Sequence, residues 1–196
     1  MPRIAFVLLA AIAVVIAITA GRFMMVDGGK PQASAINIGG PFTLTDHTGK
    51  RVTQKDFEGQ YMLIYFGYTF CPDVCPTSLS IMADALDMLS PEQLAKVTPV
   101  FISVDSDRDT PEVMASYVPH FHEKLVGLGG SKAEIKAVAK AYKAYFAKVN
   151  EDDPDGNYTM DHSSITYLMG PDGAYVAHFN HGTDAAVMAA RLKEIL

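Results

Sequence analysis

The sequence predicts an α/β domain, a mixed β-sheet flanked by helices, set behind a short apolar N-terminal segment. Three observations predict it. The runs "YMLIYFGYT" (61–69) and "TPVFISVD" (98–105) are almost continuously apolar and β-rich, as strands buried on both faces must be. Between and after them, apolar residues recur at helical spacing. Near the end, "HSSITYLMGPDGAYVAHF" (162–179) reads as a strand, a Pro-Asp-Gly turn and a returning strand.

The chain has 196 residues, enough for one domain and an appendage. The appendage is "IAFVLLAAIAVVIAITA", Ile4 to Ala20, uncharged and with Thr19 its only polar residue. At ~1.5 Å per helical residue it just spans a ~30 Å hydrocarbon layer. A cleaved signal peptide is the rival reading, but the run is long for one. A cut after Ala20 would also place Ile18 where a small residue is preferred. The expected organisation is a single transmembrane helix over 1–26, a Gly/Pro-containing tether over 27–40 and the folded domain over 41–196. Either reading of the appendage puts the domain outside the cytoplasm, where thiols tend to oxidise. The net charge of −6 argues against nucleic-acid binding.

In order, "PFTLTDHTGKRVT" predicts an extra N-terminal hairpin turning at Asp46–Lys50. The strand at 61–69 runs straight into Cys71. Leu79, Met82, Leu86 and Leu89 then mark one helical face, with Pro76 suited to its first turn. After the strand at 98–105, Asp109, Pro111 and Glu112 predict a helix start of the capping-box type. The acidic "DSDRDTPEVMAS" resembles the opening of a calcium loop. It has Thr110 where a Gly belongs and Ser116 where a Glu belongs, so a helix entry explains it better. "LVGLGG" predicts a short strand. Ser131 opens a helix whose stripe is Ile135, Val138, Ala139, Tyr142 and Phe146. A long loop is expected near Glu151–Thr159. Met188, Leu192 and Ile195 mark a final helix after the hairpin. A dithiol between a central strand and the next helix lies at the carboxyl edge of such a sheet, where reactive groups gather. This is the layout of a thioredoxin-like domain.

Cys71 and Cys75 are the only cysteines. A redox disulfide, a soft-metal clamp and two inert thiols are all open to them. A helix starting near Cys75 would favour a thiolate there. The linker between the cysteines is one residue longer than in a thioredoxin dithiol, which lets two sulfurs converge on one ion. Zinc would want four ligands, and no second Cys pair exists. Soft thiolates favour Cu(I), and a Cys2His set can be three-coordinate.

Six histidines compete for the third place. His47 sits in a predicted solvated turn. His120 and His122 end a predicted helix, and His178 and His181 follow the hairpin. His162 differs, because the loop entering its strand would face the dithiol. The residues alone leave its ligand role open. Asp161 either orients that imidazole or merely caps the loop. Asp73, between the cysteines, either biases the clamp toward cations or is a turn residue after Pro72. A peroxidase-like cysteine fits poorly, since Thr69 lies only two residues before Cys71 and no Arg is near in sequence.

"GYTFCPDVCPTSL", "SVDSDRDTPEVM" and "MDHSSITYLMGPDGAYV", in this order, resemble the Sco/SenC family over most of the chain from about Gly39. The resemblance implies a thioredoxin-fold, membrane-tethered copper protein. It implies service to the binuclear Cu(A) centre in subunit II of cytochrome c oxidase, as a metallochaperone rather than an enzyme. The family's copper ligands fall on Cys71, Cys75 and His162, for Cu(I), Cu(II) or both. The implied place is the inner membrane of a bacterium, with the domain on the periplasmic side. A copper donor and a thiol reductant are implied as further partners. The alternative is a thiol–disulfide oxidoreductase or redox sensor using the same cysteine pair.

Overall fold

The computed structural model describes residues 38–150 and 158–196. The expected membrane helix, all of the expected tether up to residue 37, and the acidic stretch Glu151–Gly156 lie outside them. No helix among the described residues is long and apolar enough to cross a membrane.

The chain order is β1 (Thr43–Asp46), β2 (Arg51–Thr53), β3 (Tyr61–Gly67), α1 (Val74–Asp87), a single turn α2 (Pro91–Leu94) and β4 (Val97–Ser103). There follow α3 (Pro111–Tyr117), β5 (Val126–Gly129), α4 (Lys132–Tyr142), β6 (Phe146–Val149), β7 (Thr159–His162), β8 (Ile165–Met169), β9 (Tyr175–Asn180) and α5 (Ala185–Ile195). One seven-stranded mixed sheet has the order β2-β1-β5-β4-β3-β8-β9. Strands β3, β4 and β5 are parallel, and β1 and β8 flank them antiparallel. The N-terminal hairpin is present, with Leu44 opposite Val52.

Strand β3 is central because its composition demands it. Every residue from Met62 to Gly67 is buried, so both faces of the strand are covered. Side chains alternate along it. Phe66 meets Tyr142 of α4, with ring centroids 5.7 Å apart. Its neighbours Tyr65 and Gly67 face the other way, and Cys75 of α1 packs over the Gly67 position. Helix α1 turns Cys75, Leu79, Met82 and Leu86 inward, as its period predicts, and packs beside α5.

Three local expectations need correction. The stripe on α4 ends at Tyr142, not Phe146. Lys143 adopts the left-handed conformation (φ 58°) that terminates the helix, and no Gly or Pro announces it. Phe146 instead opens β6, which pairs antiparallel with β7 in a separate two-stranded ribbon, Phe146 opposite His162. His162 is therefore the last residue of a strand, not part of a loop. Helix α3 is capped by Thr110, whose hydroxyl accepts the Val113 N–H. Asp109 turns inward instead and is buried.

Helix α4 has the full reciprocal cap. The Ser131 hydroxyl accepts the Glu134 N–H, and the Glu134 carboxylate accepts from Ser131. Arg51 of β2 also donates to Glu134. These bonds, Arg51 first, hold the Glu134 carboxyl down at about 2. A carboxylate held below its ordinary value stabilises the fold above that value and loses the effect as pH falls toward 2. Glu134→Gln is expected to lower unfolding free energy by about 1 kcal/mol at pH 7, because the pair is partly solvated. The deficit should shrink between pH 4.5 and pH 2, measured by matched urea titrations. A deficit that stays constant over that range would rule this account out.

Candidate metal centre

The loop leaving β3 carries Cys71, and the first turn of α1 carries Cys75. Both are free thiols, Cys71 partly exposed and Cys75 fully buried. The Cys75 N–H points at Cys71 Sγ, 3.4 Å away, so a free amide of the helix start faces the outer sulfur. The end of β7 brings His162 in from the other side, with Nε2 3.2 Å from Cys75 Sγ. One donor atom from each of the three residues lies within 4.8 Å of the others. Among the described residues this is the only His/Cys/Asp/Glu group so placed.

The imidazole is held from several directions. Tyr65 and Tyr68 present ring edges to it at centroid distances of 6.0 Å and 5.9 Å. Nδ1 lies 3.3 Å from the Ser163 carbonyl oxygen. A carbonyl only accepts, so Nδ1 carries the proton and Nε2 presents its lone pair toward the sulfur. Burial lowers the His162 pKa, outweighing the Ser163 carbonyl and the Asp161 charge, which both raise it. The ring is therefore neutral at neutral pH, the form a metal ligand needs.

Cys75 departs from the sequence expectation. A helix start favours a thiolate, yet burial pushes this thiol well up. The sulfur is wholly removed from water, and desolvation outweighs the local amides and the dipole. Cys75 is thus a protonated thiol in the metal-free domain. A cation that displaces its proton would convert it to a thiolate.

Asp161 is exposed and alternates with His162 along β7, so its charge reaches the imidazole only at a distance, while the Ser163 carbonyl accepts the hydrogen bond from Nδ1–H. Asp73 is exposed at the start of α1, and its carboxylate accepts from the Thr77 hydroxyl at 3.4 Å. The other histidines are engaged elsewhere. His47 is partly buried, not solvated, and its Nδ1 accepts the Gly127 N–H. His120 lies at the end of the α3 segment, and His122 Nδ1 accepts the Lys124 N–H. His178 meets Tyr175, and His181 meets Ser78.

Sequence reasoning missed Asp109. Its carboxylate accepts the Thr69 N–H at 2.9 Å and the hydroxyls of Thr69 and Ser103. It thereby fixes the chain two residues before Cys71. Burial raises its pKa against those bonds. The signal was the D-T-P spacing, which equally suits a helix cap.

Two sulfurs and one imidazole nitrogen form a soft, low-coordinate donor set.

The profile of the SCO1/SenC family matches residues 30–196. The human mitochondrial SCO1 homologue is 47% identical over 156 residues, 79% of this chain and 52% of that protein. The chain thus spans about half the length of that relative. The structure of Bradyrhizobium japonicum ScoI with copper bound is 48% identical, with a TM-score of 0.74, covering 81% of this chain and 99% of that one. Arabidopsis thaliana ScoI with copper bound is 43% identical, with a TM-score of 0.75, covering 81% and 98%. Joined to a thioredoxin-like sheet that carries its dithiol at the carboxyl edge of β3, these similarities mean that the chain belongs to the SCO1/SenC family.

Proposed function

We propose that this protein binds one copper ion through Cys71, Cys75 and His162 and passes it on as a metallochaperone, serving the Cu(A) site of cytochrome c oxidase subunit II. The observation that carries the reading is the convergence of one donor atom from each residue within 4.8 Å. Binding displaces the two thiol protons, and His162 enters as a neutral ligand. Three ligands leave room for a partner's sulfur or imidazole, so copper passes by stepwise ligand exchange. Asp73 and Asp161 lend negative charge to the rim. The copper bound in two relatives supports the choice of metal. The apolar segment at 4–20 supports a single-pass tether in a bacterial inner membrane with the domain on the periplasmic side, where a copper donor and a thiol reductant must supply it.

Oxidation of the pair to a disulfide removes two electrons and two protons and abolishes the clamp. Metal loading and disulfide formation therefore exclude each other. A thiol–disulfide exchange role has one observation in its favour: Cys71 is partly exposed and Cys75 is buried, as an attacking and a resolving thiol are arranged.

Metal analysis of the full chain, reduced and anaerobic, tests the main reading. About one copper per chain is expected in the wild type, with loss in Cys71→Ser and Cys75→Ser and in the oxidised form. Copper retained after either cysteine is removed would count decisively against it.

A further inference from the structure

We propose that Arg108 is a positioning residue of the metal centre, a planar bracket that holds the ribbon carrying His162 against the loop carrying Cys71. The inference rests on the Cys71–Cys75–His162 reading above.

The need for a bracket follows from topology. Strands β6 and β7 pair with each other and not with the main sheet. The backbone ladder that fixes the cysteines through β3 meets this part of the chain again only at β8, whose first residue Ile165 lies three residues beyond His162. On the other side of His162 the ribbon is braced against the cysteine loop by side chains, and the Asp105–Asp109 segment supplies them. Asp105 is buried, and its carboxylate accepts from Arg108 Nε at 2.5 Å and from the Tyr158 hydroxyl at 2.7 Å. Arg108 Nη1 donates to the Tyr158 carbonyl at 3.0 Å. The guanidinium carbon lies 3.6 Å from the centre of the Tyr158 ring, which immediately precedes β7. It also lies 4.7 Å from the Phe70 ring, beside Cys71. At 5.8 Å is Tyr68, whose own ring edge meets His162. One cation thus meets both the loop carrying Cys71 and the entry to the strand carrying His162, and the adjacent Asp109 secures Thr69 from below.

The chemistry suits Arg and not Lys. Only a planar guanidinium can lie on an aromatic ring and direct separate N–H groups to a carboxylate and a carbonyl. Nη2 is buried with no partner among the described residues. A simple surface ion pair would place that group in water. The absence of any Arg near Cys71 in sequence hid the arrangement, because Arg108 reaches the site through the fold.

A double-mutant cycle on the full chain tests the proposal, with Cu(I) retention measured against a chromophoric chelator. Outer partners of metal ligands commonly change affinity by roughly 10–100-fold. Arg108→Ala is expected to weaken retention by that factor. In the His162→Ala background the same change should weaken it by less than about twofold, since the ring it positions is gone. The nitrogen splitting in the Cu(II) resonance spectrum should also be lost in Arg108→Ala. Wild-type retention and splitting in Arg108→Ala would overturn the inference. So would a loss undiminished in the His162→Ala background, which would mark a general effect on folding. If His162→Ala alone retains copper as the wild type does, the three-ligand reading fails and the inference falls with it, and that single variant reports which has failed. Should Arg108→Ala not fold, Arg108→Lys keeps the charge on Asp105 without the planar stack. An intermediate loss is then expected, and full retention would overturn the proposal.

Discussion

Replacing His162 with Ala is expected to lower copper retention by roughly two orders of magnitude while leaving exchange at Cys71 and Cys75 nearly intact. A four-ligand structural zinc site is worth roughly 10–16 kcal/mol, so one ligand is worth about 3 kcal/mol, or about a hundredfold in affinity. The structure makes the separation clean. His162 lies on a ribbon outside the main sheet, whereas the thiols belong to the β3 loop and α1. Cys71 remains partly exposed without the ring, so its attack on a small disulfide does not depend on it. Competition with a chelator, set beside the rate of reduction of a small aromatic disulfide, reads both quantities. Equal copper content in wild type and variant would leave the exchange reading in possession. A large fall in exchange rate would show that the imidazole serves the thiols as well.

Gly67→Ala is expected to damage fold and site together. A methyl at this position would lie 2.8 Å from Cys75 Sγ, 3.0 Å from Phe101 Cε2 and 3.0 Å from Tyr65 Cε1. All three neighbours are buried and none is the free end of a flexible chain. The Gly67 carbonyl also accepts the Val104 N–H at 2.8 Å, which ties the strand end to β4 and resists a backbone shift. Glycine is needed here for space, not for an unusual dihedral angle. Overpacking of this kind costs about 1–3 kcal/mol, and at roughly 2–4 °C per kcal/mol for a domain of this size the melting point should fall by several degrees. The sulfur must give way, and it is the donor 3.2 Å from His162 Nε2. Copper affinity should therefore fall with stability. A variant with the wild-type melting point and wild-type copper retention would contradict this packing argument.

What was legible in the sequence divides by range. Strands β3 and β4 announced themselves as continuous apolar runs because both faces are covered. Helix α1 showed its inward face through Leu79, Met82 and Leu86. Ribbon β6–β7 was not legible. Its strands "FAKV" and "TMDH" have four residues each, lack a clear alternation and lie apart in the chain. Asp109 was equally ambiguous, since a carboxylate before Thr-Pro suits a cap or an inward clamp. The Lys143 helix end carries no Gly and no Pro to mark it.

By itself the sequence determined the α/β class, the dithiol at the carboxyl edge of a central strand and, through three motifs, the family resemblance. These follow from composition, period and residue order, which act over a few turns of chain. Only the tertiary structure decided that His162 meets Cys75, that Arg108 lies across the rings on both arms, and that Cys75 keeps its proton despite sitting at a helix start. Each depends on which distant segments share a boundary and how much water they exclude. Solvation and contact between segments distant in the chain, 50 positions for Arg108 and Tyr158 and 87 for Cys75 and His162, are properties of the packed chain, and no local pattern of residues encodes them.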